Sequence, residues 1–255
     1  MKHKPVEGTA PSPWAELRRF TDARIALGRV GVSLPTSKML AFDLAHALAR
    51  DAVHAALDVP QLLTALHALG LRTIEVASKA ADRSTFLLRP DLGRVLRAES
   101  RELLAKPSEP PDVAFVIGDG LSAAAVQLHA APLMAALLAR LPSTLRLAHV
   151  VVATQARVAL GDEVGELLGA RVVVVLIGER PGLSSPDSLG AYLTFAPRPG
   201  RLDSERNCVS NIRPAGLGFD EAARKIGWLV MEALGRGVSG VELPDGSDVV
   251  GLAGR

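Results

Sequence analysis

Three short stretches of this 255-residue chain carry the residue types from which a site could be built. Each follows a run of apolar residues. Gly118-Asp119-Gly120-Leu121-Ser122 follows DVAFVI, Gln155-Ala156-Arg157-Val158 follows LAHVVVAT, and Gly178-Glu179-Arg180-Pro181-Gly182-Leu183 follows VVVVLI. In an open parallel sheet, ligands bind beyond the carboxyl ends of the strands, so one rim collects these loops from about 65 residues of sequence. The third stretch poses the chemical question. A loop that cradles phosphate has several glycines and no carboxylate facing the anion, yet this one carries Glu179.

Familiar chemistries fit poorly. GDGLSA reads formally as G-x-G-x-x-A, but the acidic ribose partner expected about 20 residues on is missing, because the next strand ends Ala-Thr-Gln-Ala. There is no GxxxxGK[ST] and no GxSxG, and no histidine lies near Ser184 and Ser185 in sequence. The six histidines show no HExxH or paired ligand spacing, and Cys208 is the sole cysteine, so neither a disulfide nor a CxxC pair is available. His67-x-x-Gly70 lacks the aspartate of the Asp-x-His-x-x-Gly motif, since Ala65 stands there. His67 therefore reads as a plain helix residue. Asp119 reads as a cap for the following helix rather than as a ligand.

The elements that must position these loops follow from apolar spacing. A hydrophobic content of 48% against 22% charged allows a sizeable core, and aromatics of 4% make it aliphatic. Ser12 and Pro13 open a helix carrying Trp14, Leu17 and Phe20. Further helices are expected from about Lys38 to Leu57 and from Pro60, carrying Leu62, Leu63, Leu66 and Leu69, with Gly70 where a C′ residue belongs. RTIEVAS (72–78) and TFLLR (85–89) read as short strands, and Asp91 as the cap of a helix with Leu92, Val95, Leu96 and Leu103 on its apolar face. KPSEPP (106–111) marks a linker or domain boundary. Beyond it, strands at 112–117, 147–154, 172–177 and 191–196 alternate with an Ala-rich helix broken at Pro132, the short helix DEVGELLG and a final helix from Asp220. This alternation predicts an α/β fold, a parallel sheet covered on both faces. The expected organisation is a flexible basic extension (1–24), a smaller helical N-terminal region (25–108), a Rossmann-like domain (109–243) and a loose tail (244–255).

No run of 18 apolar residues and no secretory signal is present, so a reducing cytoplasm is the expected compartment. The net charge is +2, and Arg18, Arg19, Arg24 and Arg29 cluster early. They read as a solvated face or a subunit contact, because no aromatic stacking platform or nucleic-acid motif accompanies them.

Four ordered motifs carry a resemblance. RPDLGR (89–94), DGLS (119–122), GERPGL (178–183) and Cys208-Val209-Ser210-Asn211-Ile212 occur in the order and spacing of the small subunit of ethanolamine ammonia-lyase, and the match spans about residues 24–243. The resemblance implies an adenosylcobalamin enzyme of large and small subunits that converts ethanolamine to acetaldehyde and ammonia. It also implies that the chemistry sits in the large subunit, and that the small subunit covers part of a cobalamin that keeps its own base on cobalt. Packaging in a bacterial microcompartment is common in that family. Three cofactor contacts carry over: the valine of the Arg-Val pair before the short acidic helix is Val158, the glutamate of GERPGL is Glu179, and the cysteine of Cys-x-Ser-Asn-Ile is Cys208. The carboxylate would accept hydrogen bonds from the amides that fringe the corrin, the valine would pack on its apolar surface, and the thiol would act as a small, soft filler. Plainer roles remain open for each: Val158 as core, Glu179 as an ion-pair partner of Arg180, Cys208 as a structural thiol. Two other functions stand beside this one, a self-sufficient nucleotide-binding Rossmann-like enzyme and a purely structural subunit.

Overall fold

A computed structural model describes residues 12, 14–104 and 108–250. Residues 1–11 of the expected basic extension, Pro13, most of the proposed linker's first half and the last five residues lie outside the described part.

The core element is a six-stranded sheet: β1 (Thr73–Ala77), β2 (Val113–Gly118), β3 (Val150–Thr154), β4 (Val172–Gly178), β5 (Leu189–Phe195) and β6 (Arg206–Ile212), in the order β1-β3-β2-β4-β5-β6. β1, β3, β2 and β4 run parallel, whereas β5 and β6 are antiparallel to their neighbours. The sheet is therefore mixed rather than all-parallel. Every residue of β2 and β4 is buried, as expected for strands covered on both faces. Alternation along them separates two cores. Phe115, Ile117, Val174 and Leu176 face α5 (Ala123–Leu138) and α7 (Phe219–Arg236), and Ala114, Val116, Val173 and Val175 face α6 (Leu160–Leu168).

The N-terminal part contributes α1 (Thr36–His54) and α2 (Val59–Ala68), and also β1, which pairs with β3 inside the same sheet. The region before residue 108 is thus not purely helical, and it supplies the sheet's outer strand. TFLLR is not a strand but α3 (Arg83–Leu88), because Asp82 accepts from the amide of Thr85 and caps it. No continuous helix follows Asp91. A 3-10 turn at Leu92–Arg94 precedes α4 (Ala98–Glu102). Pro132 does not break α5, since its ring stands at the exposed surface and the helix continues through it. The stretch from Leu243 to Asp248 is docked, not loose. Leu243 is buried, Ser247 opens α8 (Ser247–Val250), Arg224 donates to the Ser247 carbonyl at 2.5 Å, and Lys225 bonds Asp248.

Candidate functional site: the rim at the carboxyl ends of the strands

The chain leaves β2 towards α5 on one face and leaves β3 towards α6 on the other, which opens a crevice between these adjacent strand ends. Asp119 spans it. The carboxylate accepts from the amides of Gln155 and Ala156 at 2.9 Å each and lies 3.5 Å from Arg83. Burial pushes the Asp119 carboxyl upward, while these amides and Arg83 oppose the shift. The cap of α5 is Ser122, which accepts from the Ala125 amide, so Asp119 is a cross-crevice tie and not the expected helix cap. The glycines of GDGLSA are also accounted for by packing. A Cβ on Gly120, whose φ is +57°, would meet the Gly178 carbonyl at 2.2 Å, and one on Gly178 would meet the Ser122 carbonyl at 2.0 Å. These glycines bring two loop backbones together.

Two adjoining hollows flank this tied crevice. The first, about 460 Å³, is lined by residues that include Leu121, Arg157, Val158, Glu179, Arg180 and Tyr192. The second, about 400 Å³, shares Arg157, Val158 and Tyr192 and adds Arg94, Asp203 and Cys208. The fold thus brings Val158, Glu179 and Cys208 onto one continuous wall.

Val158 stands between β3 and α6, half-buried, with part of its side chain against the α6 core. It serves core and surface together. Glu179 follows β4. One oxygen, Oε2, accepts from the Ser188 hydroxyl at 2.5 Å and from the Asn211 amide at 3.1 Å. Oε1 has no hydrogen-bond partner among the described residues, and Arg180 forms no ion pair with Glu179 there. Cys208 lies on β6 opposite Tyr192 of β5. Its residue surface is open to solvent, yet the protein packed around its sulfur still raises the thiol's pKa, helped by the Glu179 charge and partly offset by a hydrogen bond from Tyr192. At neutral pH Cys208 is a neutral thiol.

Tyr192 joins the two hollows and was not singled out from sequence. It is the chain's only tyrosine, but a tyrosine inside an apolar strand reads as core. Burial raises its pKa. Arg157 stacks on Phe86 with its guanidinium carbon 4.2 Å from the ring centroid, and Arg83 stacks on the same ring at 4.8 Å. Burial, Arg83, Arg94 and Arg180 all lower the Arg157 pKa, with Asp119 opposing. His67 is remote from both hollows, bonded through Nε2 to Thr73 at 2.8 Å on α2.

Among the described residues, no nucleophile–base pair lines either hollow, no group of three or more potential metal ligands occurs, and no helix is long and apolar enough to cross a membrane. The geometry defines an α/β chain whose rim carries two adjoining hollows that bring Val158, Glu179 and Cys208 together. The particular family is shown by comparison. Residues 11–244 match the family model described as Ethanolamine ammonia-lyase light chain (EutC). The chain is 63% identical over 238 residues to the ethanolamine ammonia-lyase small subunit of Bradyrhizobium diazoefficiens, covering 92% of this chain and 91% of that one. It is 58% identical to the small subunit of Rhodopseudomonas palustris, with 94% of each chain covered, and 54% identical to that of Azotobacter vinelandii, covering 95% and 92%. The chain belongs to the ethanolamine ammonia-lyase small-subunit family and is a lyase subunit that acts as part of a complex.

Proposed function

We propose that the rim wall covers part of adenosylcobalamin at the junction with the ethanolamine ammonia-lyase large subunit. The observation that carries this reading is the convergence of Val158, Glu179 and Cys208 on one wall, although they lie on three separate loops and strands. The residues present fit the group. A corrin is an apolar disk fringed with amides. The half-exposed Val158 offers apolar contact, and Glu179 Oε1 offers an acceptor already oriented by the two bonds to Oε2.

When bound, the cofactor supplies the radical chemistry that turns ethanolamine into acetaldehyde and ammonia. This chain's residues bind, orient and exclude water. Glu179 would hold a peripheral amide of the group, Val158 and Tyr192 would exclude water beside it, and Cys208 would fill space as a neutral thiol. A cytoplasmic complex, packaged in a bacterial microcompartment in many family members, belongs to the same reading. The two other functions receive less support. The tight glycine packing and the Asp119 tie close the crevice that a dinucleotide would need, and a purely structural subunit gives no reason for Val158, Glu179 and Cys208 to converge on one wall.

The test compares cobalamin dissociation constants of Glu179→Gln and Cys208→Ser in the assembled two-subunit complex, with folding checked by circular dichroism. Glutamine can keep the bonds from Ser188 and Asn211 with its one oxygen, but it then turns an NH₂ towards the corrin amides. A hydrogen bond to a charged group contributes about 1.5–3 kcal/mol, so Glu179→Gln is expected to bind about tenfold more weakly or worse. Serine at 208 loses little beyond soft packing and should lie close to the unaltered complex. Unchanged affinity in Glu179→Gln would reduce Glu179 to a structural partner of Ser188 and Asn211.

A further inference from the structure

RPDLGR has a structural logic that the cofactor contacts above leave unused. Arg89 and Asp91 form a two-point ion pair at 3.0 and 2.7 Å, which holds the turn shut on itself. Gly93 then passes close beneath the neighbouring loop. Its carbonyl accepts from the Arg157 amide at 2.8 Å, and a Cβ there would lie 3.0 Å from Arg157 Cγ and from the Phe86 ring. The turn therefore sets Arg94 beside Arg157, and both line the hollow that exposes Cys208.

The charges in this hollow do not balance. Arg201 is paired with Glu205, and Arg206 with Asp162 at 2.5 Å. Asp203 lies 3.5 Å from Arg206. Neither Arg94 nor Arg157 has a carboxylate partner among the described residues. Arg157 spends Nη2 on the Phe86 carbonyl and the face of its guanidinium on the Phe86 ring, and its remaining donors are without acceptors. The amides of Val158 and Ala159, on the same wall where α6 begins, also have no acceptor among the described residues. Two unpaired guanidinium groups held together by a dedicated turn, next to free amides, form a receptor for a small oxyanion.

We propose that Arg94 and Arg157 form a phosphate subsite, and that its ligand is the phosphodiester in the nucleotide tail of the bound corrinoid. This rests on the corrinoid reading above. The division of labour is chemical. Glu179, in the adjoining hollow that Arg157 also lines, would repel a phosphate and suits amides. Arg94 and Arg157 would repel nothing on the tail and suit its single negative charge.

The experiment uses the two-subunit complex and three probes: cyanocobalamin, dicyanocobinamide, which lacks the nucleotide tail, and inorganic phosphate. Corrinoid binding is read from visible absorbance and phosphate binding from the melting temperature. Arg94 is exposed, so Arg94→Gln should fold, and Arg157→Gln serves as the second variant. Loss of one charge-assisted contact predicts about tenfold weaker cyanocobalamin binding in Arg94→Gln, with cobinamide affinity unchanged within about twofold. If inorganic phosphate stabilises the unaltered complex but not Arg94→Gln, while cyanocobalamin affinity does not change, the anion subsite stands and the nucleotide tail is overturned as its source. If neither variant alters either ligand's binding, the subsite is overturned. A complex that binds no corrinoid at all fails the earlier reading, and the phosphate arm still decides this one.

Discussion

At the scale of residues, the rim carries groups bonded into the fold beside groups that face the hollows. Asp119 belongs to the first kind. Its carboxylate satisfies two buried amides and faces Arg83, so Asp119→Ala leaves those donors and a partly buried guanidinium uncompensated. The expected cost is about 3–5 kcal/mol of unfolding free energy, measurable by denaturant titration. A loss below about 1 kcal/mol would mean that water replaces the tie. Cys208 belongs to the second kind, and its titration can be followed because it is the sole cysteine. Burial puts its pKa above the ordinary thiol value, and the Tyr192 hydrogen bond works against that shift. In the cofactor-free complex, the midpoint of a pH–rate profile for alkylation should lie above that of a free thiol. Tyr192→Phe should move it higher still, whereas a shift to lower pH would contradict the pairing of these side chains.

Among the elements, the opposite end of the sheet is stitched by Asp112, which precedes β2. It accepts from the Arg146 amide at 3.0 Å and sits 3.4 Å from Arg171. The bond from the Arg146 amide, with Arg146 and Arg171 assisting, holds its carboxyl below the ordinary value of 3.8. A depressed carboxylate stabilises the fold fully above its unfolded pKa, and that contribution is lost as pH falls through the folded one. Asp112→Asn should therefore flatten the acid limb of the stability–pH curve and cost about 1–2 kcal/mol at neutral pH. It should leave corrinoid binding intact, because Asp112 is at the far end of the strands. A variant whose acid limb keeps its steepness would show that other carboxylates dominate there. The buried pair Arg206–Asp162 joins β6 to α6, with both side chains at most 3% exposed. Removing one partner as Arg206→Met should cost about 3–5 kcal/mol in thermal or chemical unfolding. A cost near zero would mean that Asp162 is neutral in the fold.

The same elements explain what was legible in the sequence. Uninterrupted apolar runs announce β2, β3 and β4, because strands covered on both faces need no polar alternation, and the loops that end β3 and β4 carry Val158 and Glu179. β6 was not legible. RNCVSNI is polar and buries only Arg206, Val209 and Ile212, as suits the outermost strand, so nothing in its composition separates it from a loop. The placement of Cys208 beside Tyr192 depends on that strand and on the antiparallel turn-back of β5, and hydrophobic spacing along the chain encodes neither. TFLLR shows the reverse error. Five residues are too few for apolar spacing to decide between strand and helix, and the Asp82 cap decided it.

For the whole molecule, the side turned away from the sheet is incomplete by itself. α1 buries only Ala49 and Ala52, and leaves Leu40, Leu44 and Leu48 at 63%, 62% and 52% exposure, with Trp14 and Phe20 also open. An isolated chain with this surface is expected to self-associate, and co-expression with the large subunit should suppress it, as read by light scattering. A monodisperse monomer at high concentration would count against an unfinished surface. The segment is tied to the rim, since Arg24 donates to the Leu183 carbonyl and Arg83 to the Val53 carbonyl.

The most direct measurement of the central claim is retention of corrin absorbance. Adenosylcobalamin is added to this chain alone, to the large subunit alone and to the assembled pair, free cofactor is removed by gel filtration, and the visible spectrum and ammonia release from ethanolamine are recorded. A wall that covers the cofactor at a subunit junction predicts full retention and turnover only by the pair. Ammonia release by this chain alone, or full retention by the large subunit without it, would contradict the account.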